Sequence, residues 1–179
     1  EERMIKIIAT LLTLFAFNVS HAKVNVGIIL GFTGPIETLT PGMSAGAELA
    51  FNEAADSGKL LNGQSINIIK VDSTCVDSAA ATSAAESLIS QGVTAIMGAD
   101  CSGVTGAVLS NVAVPNGVPM ISPSATSPGL TTAADNGLFF RTAPSDARGG
   151  EVLADITLSR GISSVAITYV NTDYGVGLA

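Results

Sequence analysis

The sequence predicts an α/β fold, a doubly wound parallel sheet covered by helices on both faces, and three observations lead to it. Short apolar, β-branched runs alternate with helix-patterned stretches long enough to serve as crossover connections. Glycines punctuate the alternation, at Gly31 after the first run and at Gly58 and Gly92 after the first two helical stretches. A length of 179 residues with 47% apolar side chains suits one packed α/β unit of ordinary size and is scarcely enough for two.

Val24 to Leu30 (VNVGIIL) reads as a buried strand, after which Thr33-Gly34-Pro35 turns the chain. Thr40 followed by Pro41 signals a helix start, because proline at the first helical position gives up an N–H that has no intrahelical partner anyway. Met43, Ala47, Ala50 or Phe51, and Ala54 give that helix one apolar face. A second strand at Ile66 to Val71 leads to an alanine-rich helix from about Asp77 to Gln91. A third strand, Val93 to Met97, precedes a helix from Ser102 to about Ala113, and a fourth strand follows at Val118 to Ile121.

Beyond it, Ser122 to Ala134 is rich in Ser, Thr and Pro, and Leu138 to Thr142 reads as a further strand. A new cycle then starts, with a helix from about Ser145 to Arg160, a strand at Ser164 to Val170 and a loop to Ala179. One helix and one strand cannot bury a core of their own. Residues 23–142 are therefore expected to form a first lobe, and residues 143–179 to open a second lobe that is only begun, so that the chain is a fragment.

The first 22 residues are set apart by composition. Arg3, Met4 and Lys6 precede the apolar run Ile7 to Val19 and then Ser20-His21-Ala22, the pattern of a secretory signal peptide cleaved after Ala22. Glu1-Glu2-Arg3 ahead of Met4 is expected to be upstream sequence and is excluded from the fold. The apolar run is short for a membrane span, so no stable membrane insertion is expected after cleavage. The mature chain would be exported to the periplasm, where thiols are oxidised. Cys75 and Cys101 could pair there, closing a loop of about 26 residues. Export and the even count favour pairing, and two separate buried thiols are the other reading.

Composition also excludes function classes. The 15 acidic against 8 basic residues give a net charge of −7, so the Lys/Arg-rich face that a nucleic-acid binder needs is missing. Residues 1–22 hold two acids and two bases, so cleavage leaves that charge unchanged. The single histidine, His21, is lost with the leader, which leaves no Ser-His-Asp triad, no Cys-His pair and no histidine-ligated zinc. There is no G-x-G-x-x-G, Walker loop, G-x-S-x-G elbow or C-x-x-C. Neither an enzyme nor a metal or other cofactor is expected.

In a doubly wound sheet ligands bind where strand carboxyl ends feed the helices, which selects residues 31–41, 72–77, 98–103 and 122–131. Asp100-Cys101-Ser102-Gly103 passes from a strand into a helix, where unpaired amides and the Ser102 hydroxyl could seat a carboxylate. The alternative is that Ser102 merely caps its helix. Ser122-Pro123-Ser124-Ala125-Thr126-Ser127-Pro128 is a second polar loop, which two prolines stiffen. Asp72, Asp77 and Asp100 flank the strand ends and read as solvated or capping residues rather than acid–base groups. A hydrolase using Ser102 or one of these aspartates lacks its histidine.

Taken in order, VNVGIIL with its T-G-P loop, Val71-Asp72-Ser73-Thr74-Cys75, Gly98-Ala99-Asp100-Cys101-Ser102, Ile121 to Thr126, Phe140-Arg141-Thr142 and Asp173 to Ala179 carry a resemblance. From Val24 to Ala179 the chain resembles the periplasmic substrate-binding proteins of branched-chain amino-acid (Leu/Ile/Val-type) ABC transporters. The resemblance implies a type I periplasmic binding fold, two α/β lobes that close on an amino acid and then engage a membrane permease. It implies that Ser102 holds the ligand carboxylate, that Ser124 offers a carbonyl to the ammonium, and that Thr126 contacts both ends. Tyr174 matches a second-lobe aromatic that covers the ligand, and Cys75 and Cys101 match a family disulfide. Leu39 stands where the family often has an aromatic that packs on the ligand, so related ligands, an amide, urea or aromatic acid, or a sensory ectodomain, are the alternatives.

Overall fold

The computed structural model describes residues 23–59 and 64–179; the expected signal peptide lies outside them. Five strands, β1 (Val24–Leu30), β2 (Ile66–Asp72), β3 (Val93–Gly98), β4 (Met120–Ser122) and β5 (Phe139–Arg141), form one sheet in the order β2-β1-β3-β4-β5. All four pairings are parallel. Parallel strands must be joined by crossovers, and the helices α1 (Thr40–Asp56) and α2 (Ser78–Ser90) supply the first two. The chain moves one way across the sheet from β1 to β2 and the other way from β2 to β3. Right-handed crossovers in opposite directions place α1 and α2 on opposite faces.

The core lies on the α2 face. Ile29, Ile96 and Met120 from the sheet meet Ala81, Ala85 and Leu88 of α2 and Val104, Val108 and Val112 of the next helical segment, all essentially without exposure. Full burial of each large aliphatic side chain contributes about 1.5–3 kcal/mol. The alanines let α2 lie close to the sheet, and Leu88 reaches so near Gly27 that a Cβ there would stand 2.6 Å from its Cδ1. Gly98 is a stricter case. Its φ of +123° and a would-be Cβ only 1.9 Å from the Ile29 carbonyl oxygen leave room for glycine alone.

On the other face the expected apolar stripe of α1 is only partly used. Met43, Ala47, Phe51 and Ala54 are half-buried, Ala50 is exposed, and the fully buried residues are Thr40 and Ser44. Both hydroxyls are satisfied, Thr40 by donating to the Gly31 carbonyl at 3.2 Å and Ser44 by donating to Glu48 at 2.7 Å, which is why burial is tolerated.

The helix expected at Ser102 to Ala113 runs further. An α-helical part α3 (Ser102–Val108) passes through a π-helical turn, Leu109–Ala113, into a last turn, Val114–Asn116. Pro115 has no N–H for the carbonyl four residues back, and in the turn before it the Val114 N–H reaches five residues back to Leu109. The fourth strand is correspondingly displaced, to Met120–Ser122.

The carboxy-terminal part departs from expectation. Helix α4 (Asp146–Ser159) forms, with the Ser145 hydroxyl accepting from the Ala147 amide as its cap, yet buries no residue. Residues 164–170, expected as a strand, make no ladder among the described residues, and Val165, Ile167, Tyr169 and Val170 are exposed. A β-branched run becomes a strand only where a neighbour takes its hydrogen bonds. Residues 173–178, expected as loop, form helix α5 (Asp173–Leu178), because the Thr172 hydroxyl caps it by accepting from Gly175 N–H at 3.1 Å.

Candidate functional site

The sheet order puts β1 and β3 side by side, with connections leaving in opposite directions, so a crevice opens at their carboxyl ends. Four loops rim it, following β1, β2, β3 and β4. A disulfide, Cys75–Cys101, joins the loop after β2 to the start of α3, with sulfurs 2.07 Å apart. Thr74 and Cys75 take φ of 58° and 68°, and the Asp72 carboxylate holds that turn by accepting from Thr74 N–H at 2.8 Å.

Asp72 also accepts from the Thr33 hydroxyl at 2.5 Å, tying the β1 and β2 loops together. Partial burial pushes its carboxyl upward, but the hydrogen bonds from Thr33, Thr74 and Phe32 outweigh it and hold the group below the ordinary 3.8. Asp77 caps α2, accepting from the Ala79 and Ala80 amides. Asp100 is the correction among the aspartates. It is buried, 2% exposed, and its carboxylate accepts from Gly31 N–H at 2.6 Å, the Ser73 hydroxyl at 3.1 Å and Cys101 N–H at 2.9 Å.

Ser102 does not cap its helix. Cys101 holds the cap position without a side-chain bond, and Ser102 is the first helical residue, 3% exposed. Its hydroxyl oxygen accepts from Ser127 N–H at 3.1 Å. A hydroxyl has one proton and two lone pairs, so the Ser102 proton remains available to an acceptor. Three more contacts brace the loop after β4, two of them to the loop after β3 and one internal. Ser122 Oγ donates to the Ala99 carbonyl at 2.5 Å, Ala125 N–H donates to Ser122 Oγ at 3.0 Å, and Ser124 Oγ donates to the Asp100 carbonyl at 2.9 Å.

From β5, the Arg141 guanidinium donates to the Ser127 carbonyl at 2.9 Å, the Ala125 carbonyl at 3.3 Å and the Thr131 hydroxyl at 2.6 Å. Its planar fork braces the loop from three sides. The motif Phe140-Arg141-Thr142 by itself gives Arg141 no role, although a lone arginine beside a carbonyl-rich Ser/Pro loop is a signal for one. The sequence gives Asp146 and Ser127 no role either. The Asp146 amide donates to the Thr126 carbonyl at 3.0 Å, and both Thr126 Oγ1 and Asp146 Oδ2 are buried without a hydrogen-bond partner. A buried polar atom left so costs about 1–3 kcal/mol.

Ser102, Ser124 and Thr126 are thus brought to adjacent, interlocked turns. Ser102 and Ser127 also line a cavity of about 480 Å³ with Leu130 and with Asp173, Val176 and Gly177 of α5. The other two expected residues stand apart. Tyr174 is 44% exposed and lines a separate apolar hollow of about 850 Å³ with Leu153, Ile162 and Val165, while Leu39 is exposed at the start of α1. Among the described residues no group of three His, Cys, Asp or Glu is placed to hold a metal ion, and no helix is long and apolar enough to cross a membrane.

Comparison with known proteins adds to this geometry. A family model described as periplasmic binding protein matches residues 23–179. A Leu/Ile/Val-binding protein of Rhizobium johnstonii is 32% identical over 96% of this chain and 46% of its own length. The substrate-binding protein LivJ of a branched-chain amino-acid transporter from Streptococcus pneumoniae, solved with isoleucine, is 31% identical with a TM-score of 0.62, over 70% of this chain and 35% of that one. A solute-binding protein of an ABC transporter from R. palustris, solved with benzoate, is 28% identical with a TM-score of 0.65, over 78% and 38%. The chain spans about half the length of the curated relatives it matches.

Proposed function

This chain belongs to the periplasmic binding protein family, and from that premise we propose that it is the ligand-capturing part of an ABC uptake system, a binder and not an enzyme. It is exported by residues 1–22, works in the periplasm and hands an amino acid, branched-chain or similar, to a membrane permease. Residues 23–142 act as the first lobe and residues 143–179 begin the second.

The chemistry is a division of labour between two turns. The Ser102 hydroxyl, held by the Ser127 N–H, turns its proton toward a carboxylate. The Ser124 carbonyl and the Thr126 hydroxyl take the ammonium, and Thr126 also reaches the carboxylate. Capture of the ligand by these contacts requires no nucleophile and no general base. Tyr174, on α5, reaches the ligand by movement of the second lobe, which turns occupancy into a shape that a permease reads. Leu39 at the rim of the first lobe adjusts side-chain preference.

The observation that carries this reading is the buried Ser102 hydroxyl, which accepts from Ser127 N–H and lines the cavity beside α5. Calorimetric titration of the full-length protein with L-leucine, L-isoleucine and L-valine tests it, and no heat from any amino acid refutes the amino-acid reading. Heat with benzoate alone supports the second reading, an aromatic acid in the same fold, which the benzoate-bound relative and the absence of an aromatic at Leu39 favour.

A further inference from the structure

We propose that Asp100 is a positioning residue for this site, its side chain setting the loops after β1, β2 and β3 and its backbone carbonyl the loop after β4; the inference rests on the reading of the site given above. Its carboxylate accepts from the first residue after β1, Gly31, and the first after β2, Ser73, as well as from Cys101 at the end of its own strand's loop. Its backbone carbonyl accepts the Ser124 hydroxyl from the loop after β4. One residue therefore touches the exits of β1, β2, β3 and β4.

The Gly31 bond is the one that matters most. At 2.6 Å it is the shortest of the set, and it spans the β1/β3 boundary at which the crevice opens. Gly31 passes the constraint on, since its carbonyl accepts the buried Thr40 hydroxyl at the start of α1, next to Leu39. On the other side Asp100 precedes Cys101 and Ser102, so the carboxylate fixes the approach of the chain to the Ser102 hydroxyl. Burial strengthens such charge-assisted bonds by removing competing water.

A disulfide already joins the β2 and β3 loops, so stability alone does not call for a second link between them. The tie to Gly31 is different in kind, because no other side-chain bond connects the β1 loop to the β3 loop among the described residues. An aspartate serves there because each carboxylate oxygen accepts on its own side. Asparagine keeps one acceptor for Ser73 and Cys101 but turns an N–H group toward the Gly31 N–H.

The test is a series in the full-length protein, Asp100→Asn, Asp100→Ala, Ser124→Ala and Ser73→Ala, each titrated with L-leucine and followed by amide NMR. We expect Asp100→Asn to weaken leucine binding about tenfold and Asp100→Ala by up to about a hundredfold, the scale of a misplaced contact. Partial rescue by asparagine separates positioning from bulk stability. Ser124→Ala removes one bond and Ser73→Ala two, the one to Asp100 and the one accepted from Cys75 N–H; both leave the carboxylate in place and should cost severalfold, which keeps the test alive if the Asp100 variants fail to fold. The Gly31 amide proton, expected at low field in the native protein because of its short bond, should move upfield in Asp100→Asn. Folded Asp100 variants that bind leucine with native affinity overturn the proposal, as does a Gly31 resonance that does not move. A native protein that ignores leucine while its Gly31 resonance responds to Asp100→Asn sinks the amino-acid reading and leaves the tie standing.

Discussion

Removing the Ser102 hydroxyl should weaken ligand binding and fold stability by separate, calculable amounts. The oxygen does two things, accepting from the buried Ser127 N–H at 3.1 Å and offering its proton to the ligand carboxylate. Loss of a hydrogen bond to a charged group costs about 1.5–3 kcal/mol, so Ser102→Ala should raise the Kd about 10- to 150-fold. The Ser127 amide, buried and left without its partner, costs a further 1–3 kcal/mol or so of folding stability whether or not ligand is present. Titration calorimetry with L-leucine reads the first quantity, and urea unfolding of the ligand-free protein reads the second. Because the hydroxyl meets a carboxylate and not a side chain, the same loss is expected for benzoate should that be the ligand. A Ser102→Ala protein with native affinity for its ligand would refute the assignment, and one with native stability would refute the Ser127 bond.

Three further predictions concern the scaffold of the site. Replacing both Cys75 and Cys101 by serine opens a loop closed at a sequence separation of 26 and should lower stability by about 3.5 kcal/mol on the chain-entropy account, measured by urea unfolding with and without reductant. Asp72 is held below its ordinary 3.8, so its ionised form stabilises the folded protein at neutral pH, and that contribution disappears as pH falls through the lowered value. Asp72→Asn should therefore reduce stability at pH 7 and flatten the acid limb below about pH 4 in thermal melts across pH. Gly98→Ala places a methyl 1.9 Å from the Ile29 carbonyl at a φ of +123°, which should cost more than about 3 kcal/mol and part β1 from β3, as hydrogen exchange would report.

The alternation of strands and helices in the first 140 residues was legible because its signals are local. VNVGIIL becomes β1 and the alanine-rich stretch becomes α2 within a residue or so of the expected bounds, since both are fixed by side-chain pattern and by neighbouring glycines. Residues 164–170 show the limit of that logic. Their pattern is as strand-like as that of β2, but strand formation depends on a partner, and the sequence of the segment itself does not say whether one is in place. The helix at Asp173–Leu178 was missed for the opposite reason, since two glycines in six residues conceal a start that Thr172 caps well.

In the site, residue types suggested which loops to inspect, and hydroxyl-rich turns at strand ends proved to lie together because adjacent strands deliver them. By itself the sequence determined the doubly wound class, the charge balance that disfavours nucleic acid and the loops at which a ligand can enter, all of which follow from composition and short-range periodicity. Only the tertiary structure decided that Ser102 is engaged by Ser127 and not by its own helix, that Arg141 braces the second turn, and that Asp100 is buried where a solvated aspartate was expected. The bonds from Ser127 to Ser102, from Arg141 to Ser127 and from Gly31 to Asp100 join residues 25, 14 and 69 positions apart, and no local pattern encodes the partner of a hydrogen bond that closes across a sheet.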